Sequence, residues 1–269
     1  MTNTILITGA AGSAATGIRP LLRQRGHRLV LHDLAPVPDP DPSSERVVTA
    51  DLLDEDVLGE AVRGADVVVH LGGFSRERPW SDILAINIDG TRAVLDAAVR
   101  AGVRRVLLAS STHGFGFWPI KELSTRSGPR PDTYYGVGKI ASEALGSLYA
   151  DRHGLCVVSA RIGTVQAEPS GPRQLASWLS FPDFISLIEA AAQLEEPGHR
   201  VVWAMSANTR RWLPVTVDPV LGWEPRDDAE RYADRFEADA YGFAGGAGDD
   251  NGLVGGAFAD DDHPMGGIW

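Results

Sequence analysis

Tyr135 and Lys139, four residues apart in Tyr135-Gly136-Val137-Gly138-Lys139, could carry proton chemistry. Of the 25 Lys and Arg side chains only Lys121 and Lys139 are lysine, so the chain uses arginine wherever a generic positive charge serves. On a helix this spacing stacks the phenol and the ammonium on one face, about one turn apart. A free phenol has a pKa of about 10, too high for a base near neutrality. A unit positive charge ~4 Å away, at an effective dielectric of ~20, is worth about 4 kcal/mol, or about three pKa units. The ammonium is also a compact donor of three hydrogen bonds, where a guanidinium is a rigid planar fork. Ser110, Ser111, Thr112 and His113 come roughly one strand-to-helix loop earlier.

Apolar, β-branched runs at 4–8, 29–33, 47–50, 67–70, 106–110 and 157–161 read as strands. Helical periodicity fills the gaps at 14–25, 54–63, 83–101 and 133–153. The alternation predicts an α/β fold, a Rossmann-like doubly wound parallel sheet with a small C-terminal substrate-binding lid. Residues 1–161 would form the nucleotide-binding core. Residues 162–240 would supply lid elements integrated with it, among them a helix near 183–193, a strand near 200–205 and a short helix at 228–236. The Gly- and Asp-rich stretch 241–269 reads as tail or loop.

The first strand runs into Thr8-Gly9-Ala10-Ala11-Gly12-Ser13-Ala14-Ala15, where Gly9 and Gly12 let the backbone turn close to a pyrophosphate at a helix amino end. Asp33 ends the second strand about 20 residues on, where an acid bonds the ribose of NAD and repels the 2′-phosphate of NADP. Asp51 and Leu52 would flank the adenine, and Leu71, Gly72 and Gly73 would pass beneath the diphosphate and ribose.

Assembled, these segments resemble the uronate dehydrogenases, a branch of the short-chain dehydrogenase/reductase superfamily with its Ser…Tyr-x-x-x-Lys pattern. The resemblance rests on His70-Leu71-Gly72-Gly73-Phe74-Ser75, Ala109-Ser110-Ser111-Thr112-His113, the Tyr135–Lys139 segment and Arg161-Ile162-Gly163. It extends to Leu175-Ala176-Ser177-Trp178-Leu179-Ser180, Ser206-Ala207-Asn208 and Leu221-Gly222-Trp223. It implies NAD-dependent oxidation of a hexuronic acid, glucuronate or galacturonate, at C1 to an aldarolactone. Tyr135 would take the hydroxyl proton, Lys139 would lower the phenol pKa and hold the nicotinamide ribose, and Ser111 would bond the reacting oxygen. Leu34, Asn87, Ile162 and Val165 would add cofactor contacts. Ser75, Thr112, His113 and Thr164 would bond sugar hydroxyls, and Arg173 would grip the carboxylate. Thr112 and Thr164 stand where an asparagine and a serine are usual; each still offers a hydroxyl. The resemblance also suggests a homo-oligomer.

A formal charge of −11 argues against nucleic acid or an anionic membrane as partner. With 269 residues and 43% hydrophobic content, one substantial core is expected. The single cysteine, Cys156, sits in a strand pattern and reads as inert core. No run reaches the ~18 apolar residues of a membrane span, and the amino terminus enters a strand directly, so a cytoplasmic protein is expected. A sugar-nucleotide epimerase or dehydratase shares the fold and the Tyr-Lys pair but generally has a longer carboxyl-terminal region. A non-catalytic NAD sensor would usually lack the Tyr or the Lys.

Overall fold

A computed structural model describes residues 2–213, 217–236 and 252–269. Seven parallel strands form one sheet in the order β3-β2-β1-β4-β5-β6-β9: β1 Thr4–Thr8, β2 Arg28–Asp33, β3 Glu45–Thr49, β4 Val67–His70, β5 Arg105–Ser111, β6 Cys156–Ile162 and β9 Gly198–Ala204. A two-residue pair, β7 Thr164–Val165 with β8 Trp178–Leu179, stands apart. Because strand side chains alternate in direction, β1 sends Ile5 and Ile7 to one face and Leu6 to the other. The first face is covered by α1 (Ser13–Gln24) and α7 (Phe181–Ala192), through Ile18, Leu22, Phe184 and Ile188. The second is covered by α2 (Glu55–Val62), α4 (Gly90–Ala101) and α5 (Tyr134–His153), through Leu58, Ala61, Val94, Ala98 and Tyr149. The chain reverses direction across the sheet at β1 and β4, and a crevice opens at their carboxyl ends, where ligands bind in such folds.

Two elements expected in the lid belong to the sheet layers instead. β9 pairs with β6 along its length, from Cys156↔Gly198 to Ile162↔Ala204. α7, capped by Ser180, is the crossover between them and buries its apolar side against the sheet. A parallel neighbour needs such a helical crossover, so a helix followed by a strand after β6 extends the sheet. The remaining lid candidate, 228–236, is a 3₁₀ stretch, Ala229–Arg235, packed on Trp178 and Leu175 with the short helix α6 (Gln174–Ser177).

The helix expected over 83–101 is composite. A turn, α3 (Trp80–Asp82), leads into a π-helical stretch, Ile83–Asp89, and then α4. The Asn87 carbonyl in the π stretch accepts from the hydroxyls of Thr91 (2.6 Å) and Ser142 (3.1 Å), which ties α4 to α5. Such π segments recur near functional sites. Of the predicted tail, 241–251 lies outside the described residues. Residues 252–269 are loop with one 3₁₀ turn, Gly256–Ala259, and they are docked on the core.

Candidate active site

A cavity of about 370 Å³ opens at the carboxyl ends of β1, β2 and β4. Gly9, Gly12, Ser13, Ala14, His32, Asp33, Leu34, Asp51, Leu52, Leu71, Gly72, Gly73 and Ser75 are in its wall. Gly9 has φ +70, and a Cβ there would lie 2.7 Å from the backbone of Leu71 and Gly72. Only glycine lets the two loops approach so closely. Gly12 precedes α1 with no side-chain cap, so the amides of the first turn face the cavity mouth as an anion site. The Asp33 carboxylate is oriented by the amides of Ala11 (2.9 Å) and Ala35 (2.8 Å). A bare glycine cradle, an open helix amino end and a fixed carboxylate at the end of β2 fit a dinucleotide with a free 2′-hydroxyl.

The catalytic candidates meet at the ends of β5 and α5. Ser111 is the last residue of β5 and accepts from His113 N (3.2 Å). Its side chain acts on the Tyr135 phenol and draws the phenol pKa down. Burial dominates, however, and with the nearby Asp132 carboxylate pushes Tyr135 up to about 12. The expected depression by Lys139 is therefore not the state of the protein alone. The Lys139 ammonium donates to the Ala109 carbonyl at 2.7 Å and lies 5.6 Å from the centre of the phenol ring. Burial brings its own pKa down to about 8. The His113 ring bonds Asp132 at 2.8 Å and lies 5.7 Å from the Tyr135 ring, centre to centre.

Other predicted residues fall differently. Asn87 is buried and both ends of its amide bond the Phe74 main chain at 2.9 Å, so it shapes the loop after β4 and its side chain is not in the cavity wall. The cavity also stops short of Ile162 and Val165, which pack against the core on the α1–α7 side. Thr112 is buried beside Ser111, and Thr164 is half-buried in β7. Arg173 precedes α6; its guanidinium donates to the carbonyls of Leu253 and Val254 and lies 4.7 Å from the Trp212 ring. His70 is a hydrogen-bonded core histidine between Thr8 (2.7 Å) and Thr91 (3.2 Å), and burial drives its pKa to about 3.

The sequence reading missed the residues that hold the site from behind. Glu143, one turn after Lys139, accepts from Ser110 (2.6 Å) and from Arg161 (2.7 and 2.9 Å), joining α5, β5 and β6. Glu77 accepts the amides of Tyr134 (3.1 Å) and Tyr135 (2.8 Å) at the start of α5. Phe258 stacks on His113, ring centres 4.0 Å apart. A Cβ at Gly255 would strike the Asp132 carboxylate at 2.1 Å. Glu77 and Glu143 lie close in sequence to Ser75 and Lys139, but the partners of all four residues are distant in the chain.

Residues 5–215 match the model of the NAD dependent epimerase/dehydratase family. The chain belongs to the NAD dependent epimerase/dehydratase family. Doubly wound sheets of the kind seen here bind nucleotides in the crevice where the strand order reverses. Within it, the chain is 39% identical to a uronate dehydrogenase of Pseudomonas syringae pv. tomato, over 88% of this chain and 86% of that protein. The crystal structure of uronate dehydrogenase from Agrobacterium tumefaciens superimposes with a TM-score of 0.86 at 36% identity, covering 98% of this chain and 99% of that one. A mutant of that enzyme complexed with NAD gives a TM-score of 0.86 at 35% identity, covering 98% and 100%.

Proposed function

We propose that this protein oxidises the C1 hydroxyl of a cyclic hexuronic acid, passing hydride to NAD and releasing an aldarolactone. Geometry supports the reading through one arrangement above all: a buried phenol acted on by Ser111, with the Lys139 ammonium 5.6 Å from its ring centre, beside the carboxyl end of β5, the strand next to β4, whose following loop lines the cavity. The identity with uronate dehydrogenases over nearly the whole chain supplies the substrate class.

In this mechanism Gly9, Gly12, Ser13 and Ala14 hold the diphosphate, Asp33 the adenosine ribose, and Lys139 the second ribose. Bound NAD supplies the hydride acceptor and a pyridinium positive charge. Ser111 donates to the reacting oxygen and fixes its distance from Tyr135. As the C1–H bond breaks, Tyr135 removes the hydroxyl proton, so uronate and NAD⁺ become lactone, NADH and a proton. A phenol raised to about 12 by burial is a poor base by itself, so added positive charge has to act on it in the ternary complex. Arg173 meets the C6 carboxylate as a charge-assisted partner, in an orientation set by the carbonyls of Leu253 and Val254. The protein works in the cytoplasm as a homo-oligomer, which light scattering on purified material tests for assembly.

No described helix is long and apolar enough to cross a membrane. The deciding experiment follows NADH formation with glucuronate, galacturonate, glucose and galactose, each with NAD and NADP. Turnover of the uronates with NAD is expected. Equal turnover of the neutral hexoses would remove the carboxylate from the reading.

A further inference from the structure

Glu77 is fully buried, yet among the described residues its carboxylate accepts only main-chain N–H groups. Oε1 takes Tyr134 N (3.1 Å) and Gly266 N (2.8 Å); Oε2 takes Tyr135 N (2.8 Å). Tyr134 and Tyr135 begin α5, and the first amides of a helix have no partner within it. Thr133 caps one more, Gly136 N at 3.0 Å. Glu77 therefore holds the two amides that bear the catalytic phenol and its neighbour, favourably placed at the helix amino end. Its remaining bond reaches a residue 189 positions away.

The segment that supplies this bond is also fastened next to the phenol. Val254 N bonds Trp118 O (3.0 Å) and Gly255 N bonds Gly116 O (2.9 Å), which seats the chain against the Asp132–His113 pair. Phe258 then covers His113, and Trp269 meets Phe258 edge-on at 4.6 Å. Gly266 sits over the Tyr134 ring, where a Cβ would approach it to 3.3 Å. The chain's end and the start of α5 thus share one carboxylate.

We propose that Glu77 is a positioning residue that couples docking of the C-terminal segment to the placement of Tyr135, so that the last residues of the chain set kcat. The proposal rests on the reading of Tyr135 as the base. In Glu77→Gln one carboxylate oxygen becomes an amide NH₂, which must face a backbone donor and so breaks at least one of the three bonds. A chain ending at Met265 removes the Gly266 donor and leaves Glu77 intact. Displacing a catalytic group by about 1 Å lowers the rate on the order of a hundredfold.

The test combines kinetics, NAD binding and hydrogen exchange on both single variants and the double variant. Expected is a kcat loss on the order of tenfold or more in each single variant, with NAD affinity kept within about twofold. The double variant should lose little more than the worse single, because both act through one carboxylate. Exchange of the first-turn amides of α5 should quicken in the NAD-free truncated protein, a readout independent of the chemistry. Unchanged kcat in the truncated protein, unchanged exchange at that turn, or losses that multiply would each overturn the proposal. If Glu77→Gln fails to fold, the truncated chain alone decides. Full activity of Tyr135→Phe, with the exchange result as expected, would instead locate the failure in the base assignment.

Discussion

Replacing Lys139 by methionine should stabilise the protein at pH 7 while abolishing turnover. The ammonium is buried, and its pKa falls from 10.5 to about 8. At ~1.4 kcal/mol per unit, a fully protonated Lys139 opposes folding by about 3 kcal/mol at neutral pH. Methionine is a near match in length and carries no charge, but it leaves the Ala109 carbonyl without its 2.7 Å donor, a loss of about 1 kcal/mol. A net gain of about 2 kcal/mol remains. Between pH 8 and 10.5 the unfolded chain binds more protons at this lysine than the native one, so this contribution makes wild-type stability rise with pH. The opposing free energy falls to about 1 kcal/mol at pH 9.5, and the advantage of the variant should nearly vanish there. Urea unfolding followed by tryptophan fluorescence at pH 7 and pH 9.5 measures both differences. A stability difference independent of pH, or a variant less stable at pH 7, would refute the argument that burial of the charged form dominates.

Tyr135→Phe should lower kcat by about 10²–10⁴ with NAD affinity kept, measured by steady-state kinetics and calorimetric titration. Gly9→Ala, forced to φ +70 with its methyl group 2.7 Å from the Leu71–Gly72 backbone, should weaken NAD binding at least about tenfold and lower stability in urea. Asp33→Asn should shift the NADP-to-NAD ratio of kcat/KM upward by about tenfold, because a charge opposing the 2′-phosphate is removed. Arg173→Ala should raise the uronate KM more than it lowers kcat, and an unchanged kcat/KM would exclude its contact with the carboxylate.

The sheet, and the gathering of Gly9, Gly12 and Asp33 at one cavity, were legible in the sequence because their signals are local. Apolar runs with turn signals locate β1 to β6 within a few residues, and Gly9, Gly12 and Asp33 are placed together by short spacings along a single βαβ unit. The Tyr135–Lys139 pair is likewise fixed by one helical turn. What surrounds the phenol was decided only by tertiary structure. Whether Lys139 or burial governs Tyr135 depends on where the ammonium points, and it points at Ala109 in a neighbouring strand. β9 joins the sheet because α7 is a crossover, a fact that periodicity does not distinguish from a lid. The docking of residues 252–269 left no mark in a Gly- and Asp-rich composition, since much of it is made by main-chain N–H groups that bond the carbonyls of Trp118 and Gly116 and the carboxylate of Glu77. Backbone N–H groups are the same in every residue, so the Gly266 amide that meets the Glu77 carboxylate across 189 positions has no signature in side-chain pattern.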